Sequence, residues 1–186
     1  MKKPVLMIHE IYEDLFTIDL EKYILTFDDG LYSQYYYYPK FKEIKTEKIY
    51  FISSNIICDG IQSNSFPKCH DAHEKAFNGN KEDYMSLEQI KHLMEDPLVT
   101  IGGHSHYHKN LNDFNRFSQK INHIIDDTKL MIHWFEENLK FKPTSFCFPY
   151  NDDCKGIYRN LMIRMGFTNL YGNERFFFGN TCDTII

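Results

Sequence analysis

The sequence predicts an α/β fold built on a mostly parallel sheet or barrel. Apolar runs typical of buried strands occur at 23–27, 49–53, 98–101 and 145–148, with a weaker one at 168–171. Helix-like or longer segments separate these runs, and strands that alternate with helices pair in parallel. Active sites of parallel α/β folds lie at the C-terminal ends of the strands. Polar residues that directly follow the runs are therefore the first candidates for function.

Three helices are predicted from periodicity and from end signals. Between 116 and 140, apolar side chains recur at steps of three and four residues, which is typical of a long helix with one face in the core. Ser86 and Gln89 resemble a capping box that opens a second helix, which Pro97 would end. A third helix is predicted over 156–165. These helices provide the connections that parallel strands need.

One polar segment does not fit this alternation. Residues 55–83 contain Gly60, Pro67 and Gly79 among polar side chains, so we predict a long insertion or lid rather than a core element. The whole chain has 186 residues, of which 42% are hydrophobic, and this is the size of one domain. We therefore expect a single domain over 1–186 that carries this insertion.

Composition limits the classes of binding partner and the cellular compartment that we expect. A formal charge of −5 gives no general attraction to nucleic acid or to an anionic membrane. The apolar run at 5–8 is shorter than the core of a signal peptide, and no segment approaches the length of a membrane span. The five cysteines are odd in number and form no CxxC pair, which indicates free thiols in a reducing compartment. The sequence thus favours a cytoplasmic protein and leaves its oligomeric state open.

The adjacent acids Asp28 and Asp29 are the strongest functional signal. They directly follow the predicted strand at 23–27, and Gly30 then permits a sharp turn of the backbone. Both carboxylates are therefore expected at the C-terminal edge of the sheet.

A cluster of histidines follows the predicted strand at 98–101 and should lie at the same edge. If His104 begins a helical turn, His108 lies one turn further on the same face, a spacing that suits two imidazoles on one metal ion. On an extended backbone, His104, His106 and His108 would instead share a face. One carboxylate and two imidazoles leave open positions on a divalent ion for water and for an acyl oxygen.

A third segment, Ser-Phe-Cys-Phe-Pro-Tyr-Asn at 145–151, is a predicted strand that breaks into a loop. Taken in order, the aspartate pair, the histidine cluster and this segment resemble the polysaccharide deacetylase superfamily, the NodB-homology domains or family 4 carbohydrate esterases. The resemblance covers about 23–171. The sequence at 82–90, together with the segments around it, resembles the WbmS-like branch, which is associated with surface polysaccharide gene clusters.

The resemblance implies a distorted or incomplete (β/α) barrel and a role for each matching residue. Asp28 matches the general base, and Asp29 matches a metal ligand. His104 and His108 match two further metal ligands. Tyr150 matches the residue whose backbone N–H helps to hold the oxyanion. The implied cofactor is one divalent ion, zinc first, with cobalt, nickel or iron as alternatives.

The implied enzyme is a metal-dependent carbohydrate deacetylase, a hydrolase of carbon–nitrogen bonds other than peptide bonds. It would remove an N-acetyl group, or an N-formyl or O-acetyl group, from a sugar, a nucleotide sugar or a surface-glycan intermediate. Metal-bound water would be the nucleophile, and Asp28 would accept its proton. One alternative is a pseudoenzyme that binds metal and carbohydrate without turnover. A phosphoesterase is disfavoured because one Asp-His-His set offers no two-metal phosphate clamp.

One departure from the family pattern concerns the catalytic aspartate. The family places an arginine that braces this aspartate at the position of Cys147. Another group must therefore brace Asp28. Arg159, Arg164 and Arg175 are the candidates by residue type, although each is more often a surface residue, and Arg175 is put forward as the substitute because it sits near a late loop.

A second departure concerns the general acid. The family takes it from the histidine of a Leu-x-His motif, and this chain has no such motif. His70 and His73 lie in the insertion, where exposed positions are expected for both; further histidines are His9, His106, His123 and His133. Residues 183–186 resemble the start of a strand. The sequence therefore predicts either a truncated chain or a shortened barrel that is closed by other means.

Overall fold

The computed structural model describes residues 3–177, and its centre is a seven-stranded sheet whose neighbouring strands are all parallel in this range. The order across the sheet is β6-β5-β4-β3-β2-β1-β7. The predicted α/β fold, an incomplete and curled barrel, is confirmed. The strands are β1 (Val5–Ile8), β2 (Ile24–Phe27), β3 (Lys48–Ile52), β4 (Val99–Gly103), β5 (Ser145–Cys147), β6 (Asn169–Tyr171) and β7 (Phe176–Phe177).

Six α-helices accompany the sheet within the same range. They are α1 (Tyr32–Tyr36), α2 (Tyr38–Lys42), α3 (Cys69–Phe77), α4 (Leu87–Leu93), α5 (Phe117–Leu139) and α6 (Ile157–Arg164). The three predicted helices are α4, α5 and α6. The predicted capping box opens α4: the Gln89 N–H donates to Ser86 Oγ at 3.3 Å, and the Ser86 N–H donates to Gln89 Oε1 at 3.0 Å.

The structure also contains elements that the apolar pattern did not predict. β1 pairs with β2, although its apolar run is only four residues long. α3 lies inside the insertion at 55–83. Its buried face consists of small or polar side chains, Cys69, Ala72, His73 and Ala76, so the segment has a polar composition overall. The strand predicted at 183–186 lies outside the described residues.

Two glycines at the end of β4 leave room for neighbouring side chains to pack closely against the strand. A Cβ atom at Gly102 would lie 2.6 Å from the Phe51 ring. A Cβ atom at Gly103 would overlap the side chain of Met131, which α5 contributes to the core. Gly102 thus leaves room for the Phe51 ring, and Gly103 leaves room for the Met131 side chain, directly before the histidine loop.

The cysteines correct one prediction made from composition. Cys69 is disulfide-bonded, so the prediction of free thiols throughout is wrong. Cys58, Cys147 and Cys154 are free among the described residues. Cysteine number and spacing could not detect the bond, because pairing depends on which residues the fold brings together. The cytoplasmic prediction, which depended on the free thiols, loses that basis. Between residues 3 and 177, no helix combines the length and the apolar character needed to cross a membrane.

Candidate metal and catalytic site

The candidate site lies where β2, β4 and β5 end. Asp28 and Asp29 follow β2, and the histidine loop at 104–108 follows β4. Because these strands are parallel, their C-terminal ends lie at one edge of the sheet. The structure brings the predicted residues together there, and Asp28, Asp29, His104 and His108 are each at most 1% exposed.

Asp29, His104 and His108 converge on one point. Asp29 Oδ1 lies 3.2 Å from Nε2 of His104 and 3.2 Å from Nε2 of His108. The two Nε2 atoms are 3.1 Å apart. Ligands placed tetrahedrally about 2.0–2.1 Å from a zinc ion lie about 3.3–3.4 Å from one another. The triangle of ligand atoms therefore has nearly the size that a metal site requires.

Hydrogen bonding around this triangle fits a cation. His104 Nδ1 lies 2.9 Å from the Cys147 carbonyl oxygen, which can only accept, so Nδ1 carries the proton and Nε2 of the neutral ring carries a lone pair. Both oxygens of Asp29 are buried and accept no hydrogen bond of good geometry from the described residues. A buried carboxylate that faces lone pairs is costly unless a positive charge lies between them. The residues present therefore fit a divalent ion.

Histidines keep the Asp29 carboxylate ionised. Burial alone raises the pKa of Asp29, but the surrounding histidines, first among them the charge of His73, outweigh that effect and lower the pKa well below its ordinary value. Nε2 of His73 lies 3.6 Å from Asp29 Oδ1, and the His73 ring stacks on the His108 ring with centroids 4.2 Å apart. His73 is 6% exposed, so the expected exposed position is wrong for this residue.

Asp28 has different surroundings, dominated by Arg175. The guanidinium donates from Nη1 to Oδ1 and from Nη2 to Oδ2, each at 2.7 Å. The Cys147 thiol donates to Oδ2 at 3.3 Å. Burial raises the pKa of Asp28, but the charge and hydrogen bonds of Arg175 outweigh it, so the pKa is lowered. Of the three arginines considered from sequence, Arg175 is the one that contacts Asp28.

Arg175 is itself fixed from several sides. It lies between β6 and β7 and is 4% exposed. Its Nε donates to the Gly172 carbonyl at 3.1 Å, Nη1 donates to Thr26 Oγ1 at 3.0 Å, and Nη2 donates to Asn151 Oδ1 at 3.0 Å. Nη2 also lies 3.0 Å from Cys147 Sγ. A small side chain at position 147 thus leaves room for a guanidinium that arrives from another segment.

Asp28, His104 and Cys147 form a second group with three ligand atoms close together. Here the carboxylate already binds the Arg175 guanidinium through both oxygens. A cation in this group would lie beside the positive charge of Arg175, which disfavours it. The set of Asp29, His104 and His108 is therefore the better candidate for a metal ion.

The histidine loop directs its three histidines to two different places. His104 and His108 face Asp29, whereas Nδ1 of His106 lies 2.7 Å from Ser54 Oγ. The alternative in which all three histidines share one face is therefore wrong. The loop is not a regular helix, because Ser105 and His108 have left-handed φ values of 66° and 51°.

Asp127 supports this loop and was missed in the sequence. It lies on the buried face of α5, where it is 2% exposed. Its carboxylate accepts the His106 N–H at 2.7 Å and the Tyr107 N–H at 2.9 Å. Ser105 Oγ accepts the His108 N–H at 2.9 Å. An acid on the apolar face of a predicted helix was the available signal for Asp127.

Tyr150 and His9 complete the surroundings. Tyr150 lies in a short turn after β5 with a φ of 56°, and its ring centroid is 5.0 Å from that of His108. His9 follows β1, and its Nε2 lies 3.9 Å from Oδ2 of both Asp28 and Asp29. Because β1 was not predicted, His9 could not be placed at this edge from the sequence.

Comparison with protein families identifies this arrangement. The family model for polysaccharide deacetylase matches residues 19–170, which include Asp28, Asp29, His104, His108 and Tyr150 but neither His9 nor Arg175. The chain belongs to the polysaccharide deacetylase family. The residue that braces Asp28 therefore comes from outside the range over which this deacetylase matches its family.

Solved structures support the polysaccharide deacetylase fold. IcaB from Ammonifex degensii has a TM-score of 0.60 and 21% identity, and the match covers 86% of this chain and 66% of IcaB. The BpsB deacetylase domain from Bordetella bronchiseptica has a TM-score of 0.61 and 12% identity, with 94% and 93% covered. PplD, a Streptococcus pyogenes deacetylase in complex with acetate, has a TM-score of 0.61 and 12% identity, with 90% and 81% covered. No curated protein sequence matches the chain.

Proposed function

We propose that the protein is a metal-dependent carbohydrate deacetylase that removes an N-acetyl group, or an N-formyl or O-acetyl group, from a sugar or surface-glycan intermediate. The observation that carries the proposal is the buried triangle of Asp29, His104 and His108 beside the arginine-braced Asp28. Family membership supports an acetylated carbohydrate as the substrate.

Asp29, His104 and His108 would hold one divalent ion. Zinc accepts this oxygen and nitrogen donor set, and cobalt, nickel or iron are alternatives. When bound, the ion supplies a Lewis acid that polarises the acyl group and makes a water molecule acidic. Three protein ligands leave room for both, whereas a closed four-ligand site would be structural.

Asp28 is the proposed general base. Its two contacts with Arg175 keep the carboxylate ionised and fix its plane. Oδ2 also accepts the Cys147 thiol, whereas Oδ1 retains a second lone pair that can accept a proton. Arg175 also keeps Asp28 from becoming a ligand, because the guanidinium holds the carboxylate away from a second positive charge. Asp28 and Asp29 thus have separate proposed roles, the first as general base and the second as metal ligand.

Tyr150 is the proposed oxyanion donor through its backbone N–H. Support for this role comes from its position beside His108 and from its left-handed φ, which is costly for tyrosine and typical of backbone held in place at a functional site. A donor that is fixed before the reaction stabilises developing negative charge without reorganisation.

We also propose that 1–186 act as one domain and that the insertion at 55–83 forms a wall of the site. The contacts of His73 with His108 and Asp29 support this role for α3. The pseudoenzyme alternative is based on two departures, the absence of an arginine at position 147 and the absence of the Leu-x-His motif. The contact of Arg175 with Asp28 removes the first of them.

Acetate release from a panel of acetylated sugars, combined with elemental analysis, tests the proposal. We expect Asp28→Asn to abolish acetate release while the metal content persists, and His104→Ala to lose both. The exposed Asp126 provides a control, since Asp126→Asn should change neither. Full activity in Asp28→Asn would exclude Asp28 as the base. Metal and sugar binding by the wild type without acetate release would favour the pseudoenzyme.

A further inference from the structure

His73, on the insertion helix α3, contacts two of the three proposed metal ligands. Its ring stacks on the His108 ring, with centroids 4.2 Å apart and an angle of 19° between the planes. Its Nε2 lies 3.6 Å from Asp29 Oδ1. The motifs that carry the family resemblance do not include His73, so they assign it no role.

The orientation of the His73 ring argues against a fourth ligand. An imidazole nitrogen binds a metal ion through a lone pair that lies in the plane of its ring. Two stacked, nearly parallel rings direct these lone pairs along separate planes, so His73 and His108 cannot both point at one ion. The ligand atoms of Asp29, His104 and His108 all lie within 4.8 Å of one another, and His73 is not part of this group. At 3.6 Å, its Nε2 is also too far from Asp29 Oδ1 for a hydrogen bond.

The two proposed histidine ligands differ in what fixes their rings. A metal-binding histidine usually donates its other ring N–H to an acceptor, and this hydrogen bond sets the orientation of the ring. His104 follows this rule, because its Nδ1 lies 2.9 Å from the Cys147 carbonyl oxygen. Nδ1 of His108 is buried and has no hydrogen-bond partner among the described residues. The His108 ring is instead packed between rings, those of His73 at 4.2 Å and Tyr150 at 5.0 Å.

Contacts along α3 fix the helix that carries His73. The Cys69 N–H, in the first turn, donates to Glu10 Oε1 at 2.9 Å, and Cys69 is disulfide-bonded. Cys69 and His73 are one turn apart on the buried face of the helix. In the last turn, Lys75 Nζ donates to Asp83 Oδ2 at 3.0 Å. α3 therefore holds His73 in place from both of its ends.

Neighbouring aromatic rings fix the His73 side chain itself. The Tyr84 ring meets it nearly edge to face, with centroids 6.0 Å apart, and the Phe77 ring lies at 5.9 Å. The residue after Tyr84 is bonded to the segment that follows the aspartate pair, since the Met85 N–H donates to the Gly30 carbonyl at 2.9 Å. The support for His108 is thus rigid on the side of the insertion.

We propose that His73 is a positioning residue of the metal site, which holds the His108 ring by stacking where no hydrogen bond to Nδ1 does so. The inference rests on the metal site of the proposed function and deepens it, because it makes the metal affinity depend on the insertion. Residues that orient metal ligands typically contribute about tenfold to a hundredfold to metal affinity.

Three variants test this role, with Co²⁺ as the probe and a competing chelator to measure its affinity. His73→Ala removes the stacked ring and should weaken Co²⁺ binding about tenfold to a hundredfold. His73→Phe keeps a ring but no nitrogen, so its affinity should stay within about threefold of the wild type. His70→Ala is the matched control, because this side chain is 77% exposed on the same helix, and it should bind Co²⁺ like the wild type. The visible absorption spectrum of bound Co²⁺ should change in His73→Ala and be retained in His73→Phe.

Thermal melting of the metal-free proteins separates positioning from a merely structural role. A structural role would lower the melting temperature of His73→Ala while the folded protein keeps its Co²⁺ affinity and spectrum, and this result would overturn the inference. Equal affinities in His73→Phe and His73→Ala, both weak, would also overturn it, because the nitrogen and not the stack would then be required.

Activity separates this inference from the proposed function. Wild-type affinity in His73→Ala would overturn the positioning role, while metal binding and acetate release by the wild type would still support the deacetylase. Absence of acetate release from every acetylated sugar would contradict the deacetylase, and the Co²⁺ affinities would still decide the role of His73. A large fall in kcat at saturating metal in both His73 variants, with wild-type affinity, would overturn the inference and assign His73 to the reaction itself.

Discussion

Asp28 and Asp29 are adjacent in the chain and equally buried, yet their surroundings are opposite in kind. Asp28 faces donors, two from the Arg175 guanidinium and one from the Cys147 thiol. Asp29 faces the ring nitrogens of His104 and His108, which can act as metal ligands. Residue type is the same at both positions, so the partners decide the role. Asp28 binds a cation that belongs to the protein, the Arg175 guanidinium. Asp29 is available to a cation from solution.

Removal of Asp29 should have the largest effect, because Asp29 is one of the three proposed metal ligands. In Asp29→Asn we expect the metal content to fall close to zero and acetate release to fall at least about a thousandfold. Added zinc should raise the melting temperature of the metal-free wild type but not that of the variant. Elemental analysis and thermal melting measure these effects. Zinc-dependent stabilisation of Asp29→Asn would place the ion elsewhere.

Loss of Arg175 should disturb Asp28, the proposed base, while leaving the metal site in place. Arg175→Met leaves a buried carboxylate uncompensated, which typically costs about 3–5 kcal/mol. We expect a clear drop in melting temperature and a fall in kcat of about a hundredfold, with nearly unchanged KM and metal content. Arg175→Lys should recover part of the stability but little of kcat, because an ammonium group cannot bind both oxygens at once.

A double variant tests whether the position of the guanidinium beside Asp28 matters. Cys147→Arg combined with Arg175→Met moves the guanidinium to the position where the family pattern places it. If Asp28 needs only a bracing guanidinium, kcat should rise above that of Arg175→Met alone. Cys147→Arg in the wild-type background is the control and should be destabilised, because two guanidinium groups would then compete for one carboxylate. Equal kcat values for the single and double variants would show that the position of the guanidinium matters as well as its presence.

A smaller effect is expected at Asp127, which supports the histidines from behind. Asp127→Asn replaces one of two acceptor oxygens by a donor that faces a backbone N–H. This mismatch should cost about 1–3 kcal/mol of stability and weaken metal binding several-fold. Asp126→Asn, one residue away on the exposed face, should behave like the wild type. Unchanged metal affinity in Asp127→Asn would mean that the loop does not need this support.

The smallest effect is expected at Ser105. Ser105→Ala removes the hydrogen bond to the His108 N–H, worth about 1 kcal/mol. Ser105→Gly removes the same bond but relieves a left-handed φ of 66°, so it should be more stable than the alanine variant by about 1 kcal/mol. Chemical denaturation measures both values. Equal stabilities would show that the loop carries no strain at this residue.

Much of the fold could be predicted because its central strands are strongly patterned. β2 to β6 lie on the apolar runs, and α5 carries a long apolar face. β1 and β7 could not be predicted, because runs of four and two residues carry too little pattern by themselves. α3 could not be predicted from an apolar pattern, because small and polar side chains form its buried face.

The site residues divide in the same way. Some can be recognised from their neighbours in the sequence, and others only from contacts between distant segments. Asp28, Asp29, His104 and His108 stand out because each group is compact in sequence and follows a predicted strand. His73 and Arg175 did not stand out, because their roles depend on contacts with residues in remote segments. Sequence favoured Arg175 among three arginines only by its place near a late loop, and the fold was needed to show its contact with Asp28.

The pairing of Asp28 with Arg175 also affects the order in which the molecule can be assembled. The two residues are 147 positions apart, so a chain synthesised from its N-terminus contains Asp28 long before its partner exists. Until residue 175 is available, burial of the Asp28 carboxylate would cost several kcal/mol. The end of β2 therefore cannot take its final form early, even though β2 lies in the centre of the sheet. We therefore expect completion of the proposed base to be one of the last events in folding, which would tie catalytic competence to the pairing of β7 with β1.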